Sequence, residues 1–191
     1  MSNKGVDATT IAEIADTADV AFGTFYNYFK TKDEIAACVI DCVIKDLGKR
    51  NDEATKGLKE TNTAAVQALS IRITIQEMLT NPMWKWWLKR PEFLVERLIV
   101  NFYDYGTRDL RLAIQAGRYE IDEQDVDAMW SQQMWMMVGG VKSLLDGQTK
   151  GLNEKNLIES IMRAMGLPAA RAREIAILPL PQISPAHVEF S

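Results

Sequence analysis

From Ala21 to Lys32 the chain reads AFGTFYNYFKTK, and these residue types suit one kind of chemistry. Thr24 and Tyr26 carry hydroxyls of the sort that bond phosphate oxygens. Tyr28 can hydrogen-bond or press on a thymine methyl, and Phe22 can read only apolar base edges. Gly23 lets the start of a helix lie close to a duplex, and Asn27 adds a polar side chain to the same short segment. Lys32 falls at the start of a following helix, where an ammonium and first-turn amides together can hold a phosphate. This set fits non-covalent recognition of a polyanion.

Bond-making chemistry has little to work with. The one histidine is His187, near the end of the chain, and no nucleophile, base and orienting group can be matched by spacing. Gly139 to Ser143, GGVKS, lacks both the preceding loop and the Gly-Lys-Ser order of a phosphate-binding loop. Cys38 and Cys42 are four apart, so they can meet on one helix, but two thiols alone make a poor zinc site. The expectation is buried packing for both cysteines, no metal, no cofactor and no enzyme activity.

The elements that must hold these residues read as helices. Thr10-Ile-Ala-Glu13 has the form of a capping box, and Ile11, Ile14, Ala15 and Ala18 follow at helical spacing. Asp19 marks a turn, Val20 is expected to be a buried anchor, and a second short helix runs to about Tyr28. Thr31 to Glu34 is a second capping box, opening a longer helix with Ile35, Val39, Cys42 or Val43, and Leu47 on its apolar face. Further helical patterns cover 51–81, the segment after Pro91 with a bend at Gly106, Gln124 to Asp146, and the segment capped by Asn153. No long strand pattern and no internal repeat is present, so the fold class is all-α.

Two short helices with a tight turn bury little alone. They suit a helix-turn-helix, one helix bracing the second as it enters a major groove, or else a plain helical hairpin. Charge argues against the first. Net charge is -4, and residues 1–35 hold three lysines against six acids, a local -3. At 191 residues and 47% hydrophobic content, the chain can bury a sizeable core. No apolar run reaches membrane-span length, and the opening MSNKGVD has no apolar segment behind it, so a cytoplasmic location is expected.

The segment GVDATTIAEIADTADVAFGTFYNYFKTKDEI, residues 5–35, resembles the N-terminal domain of the TetR family of transcriptional regulators. The resemblance rests on Ala-Thr-Thr, the following Ile-Ala-Glu-Ile-Ala, Val20, Gly23-Thr24-Phe25-Tyr26, Tyr28-Phe29 and Lys32. It implies an all-helical homodimer with a DNA-binding domain over residues 1–35, a linking helix to about residue 49, and a ligand-binding and dimerisation domain over 50–191. By motif position, Thr24, Tyr26 and Lys32 fall at phosphate contacts, and Phe22, Gly23 and Tyr28 at base edges. Residues 113–130, AIQAGRYEIDEQDVDAMW, are similar to the family's hinge before the first dimerisation helix. The implied function is a regulator of transcription, a repressor released from its DNA operator by a small molecule. The alternative is a dimeric small-molecule-binding protein whose DNA binding is impaired or lost.

Three departures feed that alternative. The family has a full helix ahead of the matching segment, whereas only MSNK precedes Gly5, so the first helix is expected to be missing. Ala21 stands where a serine-like cap is usual, a loss of about 1 kcal/mol. Phe22 stands where a polar or basic residue is usual.

For the larger domain, the helix from Gln124 is apolar over more than one face. With the helix after Asn153 it is expected to form half of a four-helix dimer interface. The expected contacts are Met137, Val141, Leu144, Ile158, Ile161 and Met165, with Gly139-Gly140 permitting close approach. Aromatic and methionine side chains suit a cavity for an apolar or aromatic effector. Trp86, Phe102, Tyr103, Met129 and Trp130 are the expected lining, on elements that line the cavity in similar proteins, with Glu77 or Asp104 as partner for a cationic ligand.

Overall fold

A computed structural model describes residues 8–147 and 149–186, leaving aside the side chains of Phe22, Thr24 and Phe25. Ten α-helices run through the described residues: α1 (Ile11–Thr17), α2 (Phe22–Tyr28), α3 (Lys32–Thr55), α4 (Thr63–Thr80), α5 (Trp84–Trp87), α6 (Pro91–Asn101), α7 (Tyr103–Gln115), α8 (Val126–Asp146), α9 (Glu154–Ala164) and α10 (Ala169–Ala176). No strand occurs among them. None of these helices is long and apolar enough to cross a membrane.

The caps explain where the helices start. At α1, the Thr10 hydroxyl accepts from the Glu13 amide at 3.2 Å, and the Glu13 carboxylate accepts from the Thr10 amide at 2.9 Å. At α3 only half the expected box forms. Thr31 accepts from the Glu34 amide, but the Glu34 carboxylate reaches past it to the Lys30 amide at 2.7 Å. Asp19 turns the chain between α1 and α2 at φ 54, a left-handed value that aspartate tolerates better than most side chains.

The long helix is continuous through Thr55, beyond the expected domain edge near residue 49, and a single 3-10 turn at Lys56–Leu58 separates it from α4. The break after Pro91 falls at Phe102, not at Gly106, which lies inside α7. Gly106 serves packing: a Cβ there would lie 2.2 Å from the Trp130 ring.

In the larger domain α4 sits at the centre, against α3, α7, α8, α9 and α10. Residues 64–69 are all buried, so α4 is covered on every side, as a central helix must be. One core cluster runs from Ala36 on α3 to Ala176 on α10. The head holding α1 and α2 has a small separate cluster, Ala15 and Ile35 buried, with Ile11, Ile14, Phe29 and Val39 packed on them. Val39 touches both clusters and so couples the domains. Val20 lies outside this cluster and is 41% exposed, so the expected buried anchor is corrected. The turn that places its amide on the Ala15 carbonyl leaves its side chain at the surface.

Candidate functional site

Four helical stripes meet between α3, α4, α7 and α8. Gly48, Asn51 and Asp52 come from α3, and Gln67, Ser70, Ile71 and Thr74 from α4. Phe102, just ahead of α7, joins Tyr105, Gly106 and Asp109, and α8 gives Trp130, Gln133, Met134 and Met137. Spacings of three, four and seven residues put each set on one helix face. They enclose a cavity of about 40 Å³.

Its wall is mostly apolar, but polar side chains from α3, α4, α7 and α8 all reach it. The Asn51 side-chain amide donates to the Ser70 carbonyl and the Thr74 hydroxyl, both at 3.2 Å. Gln67 donates to Gln133 Oε1 at 3.1 Å. Two acceptors fix the Asn51 amide, and in this arrangement Asn51 Oδ1 and Gln133 Nε2 are buried without a protein partner. An unmet buried acceptor or donor costs about 1–3 kcal/mol, so both atoms gain from any polar partner that reaches them. Trp130 closes the opposite wall, its indole donating to the Ile99 carbonyl at 3.1 Å.

Two acids, Asp52 and Asp109, line this cavity, and Asp109 is the more buried. Burial raises its pKa above the ordinary 3.8, against the opposing pull of Arg108. Arg108 donates from Nε and Nη2 to Asp109 Oδ1, at 2.9 and 2.7 Å, which leaves Oδ2 for another donor. Asp52 is shifted the other way. Burial works against its charge, but hydrogen bonds from Lys59 and Arg108 outweigh burial and lower its pKa. Arg108 thus ties α7 to α3 at the cavity edge.

Of the five expected lining residues, Phe102 and Trp130 line the cavity. The other three do not. Trp86 is buried on the α5–α6 corner, edge-on to Trp87 at 4.4 Å and beneath the Arg90 guanidinium. The Tyr103 side chain points outward and its hydroxyl donates to Asp127 at 2.8 Å. Met129 packs half-buried against the outside of the core. Glu77 accepts from Asn81 at 2.8 Å, and Asp104 faces an open groove, so neither is a cavity acid. Searching for aromatics missed Asn51, Gln67, Gln133 and Asp109. The usable signal was a polar residue at a position where the helical pattern calls for an apolar one.

The side chains expected at a dimer contact lie inward. Met137, Val141, Ile158, Ile161 and Met165 are all buried within the single chain, and Leu144 is half-buried on the same core. Their apolar stripes cover α4 and each other. Gly140 does permit close approach, but of α9 within the chain: a Cβ there would lie 2.3 Å from Leu157. The outer stripe of α8, Ala128, Gln132, Trp135, Gly139 and Lys142, is exposed, with open space around Gly139.

In the head, Gly23, Tyr26, Asn27 and Tyr28 lie at the surface of α2, Tyr28 at 77% exposure and Tyr26 at 44%. Phe22 and Thr24 belong to the same helix, and their side chains lie outside the described residues. Lys32 is half-buried, and its ammonium donates to the Thr9 carbonyl at 3.2 Å, clamping the start of α3 to the entry of α1. Any first-helix question concerns residues 1–7, and His187 lies in 187–191; both stretches are outside the described residues.

Residues 1–39 match the bacterial regulatory proteins of the tetR family, and residues 62–177 match the tetracyclin repressor-like C-terminal domain. The chain belongs to the TetR family. Two solved structures of RolR, one without ligand and one in complex with resorcinol, share its fold, with TM-scores of 0.87 and 0.86. Both are 28% identical to this TetR-family chain and cover 96% of it, over 94% and 90% of their own chains. No curated protein matches its sequence. Membership makes this an all-helical DNA-binding regulator, and the ligand-bound RolR structure supports response to a ligand.

Proposed function

We propose that the protein is a dimeric repressor that leaves its operator when a small hydroxylated aromatic ring enters the cavity. The observation that carries this reading is the orphaned pair, Asn51 Oδ1 and Gln133 Nε2, inside a cavity walled by Phe102 and Trp130. A ring hydroxyl can donate to Asn51 or to Asp109 Oδ2, and another can accept from Gln133. The RolR structure holding resorcinol, a ring with two hydroxyls, supports the same ligand class.

The cavity measures about 40 Å³. A cavity that holds benzene is nearer to about 150 Å³. A ring therefore enters only if the walls move, and one wall is Gly48, Asn51 and Asp52 of α3. That helix has 24 residues and carries the head at its other end, roughly 24–30 Å from these wall residues at 1.5 Å per residue. A small displacement at the cavity is levered to α2. The ligand thereby favours a conformation in which paired recognition helices no longer match grooves about 34–36 Å apart.

At the DNA, Tyr26 and Thr24 serve phosphates, Gly23, Phe22 and Tyr28 approach base edges, and Asn27 adds a polar contact. Lys32 contributes its charge while holding the head together. The second copy docks on the exposed outer stripe of α8 around Trp135 and Gly139.

Fluorescence anisotropy with the gene's own upstream DNA, at fixed salt, tests both halves. Site-specific binding that resorcinol reverses, and that benzene does not, is the expected result. Gln133→Leu should then keep DNA binding and lose most of the response. A folded dimer that binds resorcinol but shows no site preference would make it a ligand-binding protein without DNA function.

A further inference from the structure

Cys38 and Cys42 are both free thiols on α3. Cys38 is exposed and Cys42 half-buried, so the expectation that both pack in the core is overturned. Cys42 lines an open groove whose walls include Lys45, Val100 and Tyr105. They lie on the stretch of α3 where the head cluster, with Ile35 and Val39, overlaps the start of the main core at Ala36, Ile40 and Val43. The acid beside Cys42 is already engaged: Asp41 accepts from Arg97 at 3.0 Å and from Asn101 at 2.7 Å.

Spacing decides what two such thiols can bind. Residues four apart on a helix have Cβ atoms about 5–6 Å apart. A disulfide needs them at about 3.5–4.5 Å, so direct S–S closure would distort the helix. One atom bonded to both sulfurs spans the gap instead. Zinc would want four ligands. Among the described residues no group of three His, Cys, Asp or Glu side chains could hold a metal. A trivalent centre that brings its own third substituent needs only these two sulfurs from the protein.

We propose that Cys38 and Cys42 form a dithiol site that captures trivalent organoarsenicals. The reaction exchanges ligands without redox change. Two S–H and two As–O bonds break, two As–S bonds form, and an R–As(OH)2 releases two waters while arsenic stays trivalent. Burial, then the neighbouring Cys38, raises the pKa of Cys42, so the Cys42 thiol holds its proton until it leaves with oxygen. The organic substituent lies in the groove against Val100 and Tyr105. Once bridged, the two turns of α3 where head and core overlap are stapled, which ties the site to operator affinity.

Phenylarsine oxide added to the full-length protein tests this, read by intact mass and by titration of free thiols. The expected result is one arsenical per chain, both thiols lost, reversal by a dithiol and resistance to a monothiol. Cys38→Ser and Cys42→Ser should each weaken binding by roughly 100-fold, the loss of a linked second contact. Two arsenicals per chain, or single variants that bind within a few-fold of the parent, would overturn the site. Ready closure of an intramolecular disulfide under mild oxidant would overturn the spacing argument. None of these readouts uses DNA or resorcinol, so they stand apart from the repressor reading.

Discussion

The head and the effector domain are both helical and share α3, yet they are held in different ways. The effector domain has a single cluster running over α3 to α10, with α4 covered on all sides. Among its described residues the head has two buried apolar side chains, Ala15 and Ile35, and it relies on caps, a turn and the Lys32 clamp. Polar side chains are likewise used in opposite ways. In the head Tyr26, Asn27 and Tyr28 lie outside. In the larger domain Asn51, Gln67 and Gln133 lie around the cavity. A DNA reader can be small because its partner completes its surface, whereas a ligand sensor needs a core firm enough to feel a ring enter.

The largest test of that contrast is Leu47→Ala, at a fully buried side chain on the effector half of α3. It should cost about 2–5 kcal/mol and lower the melting temperature of the whole chain. Ile14→Ala in the head, at a half-buried position, should cost much less and abolish DNA binding while leaving resorcinol binding unchanged. If both variants melted alike, the two regions would not be distinct.

Next comes Gly106→Ala. The added methyl meets a rigid indole that is hydrogen-bonded to Ile99, so it should cost about 1–3 kcal/mol by thermal unfolding. It should also push Trp130 into the cavity and weaken resorcinol binding in calorimetry. Thr10→Ala removes half of the α1 capping box and should cost about 1 kcal/mol, felt in the head alone. Operator affinity would fall without change in the effector domain's melting temperature.

Smaller effects come from the two cavity carboxylates, which carry opposite signs. Asp52 has a lowered folded pKa, so its stabilisation is present above the ordinary 3.8 and is lost as pH falls through the lowered value. The deficit of Asp52→Asn should therefore be full near neutrality and vanish in strong acid. Asp109 has a raised folded pKa, so its contribution is present below 3.8 and is lost as pH rises through the raised value. Asp109→Asn should thus compare best with the parent near neutrality. If Oδ2 accepts a ring hydroxyl, resorcinol affinity falls as pH drops through that raised pKa, and Asp109→Asn flattens the profile.

The smallest stability effect is expected at Tyr28→Ala, within about 0.5 kcal/mol, because the side chain is exposed. Its operator affinity should nevertheless fall, and the two measurements together separate reading from folding.

The sequence by itself determined most of the helices, the caps at Thr10, Thr31 and Asn153, and the outward placement of Tyr26, Asn27 and Tyr28 on α2, because capping and turn chemistry act over three or four residues. Thr10 with Glu13, Asp19, and Asn153 with Asn156 needed no distant neighbour to act. Only the tertiary structure decided which side of each apolar helix faces which partner. Helix α8 is apolar over enough of its circumference that periodicity alone cannot separate an inner stripe from an outer one. Packing against α4 took Met137 and Val141 inside and left Trp135 out. The cavity is of the same kind: Asn51, Gln67, Asp109 and Gln133 lie on four helices, and their orphaned atoms exist only where those helices converge.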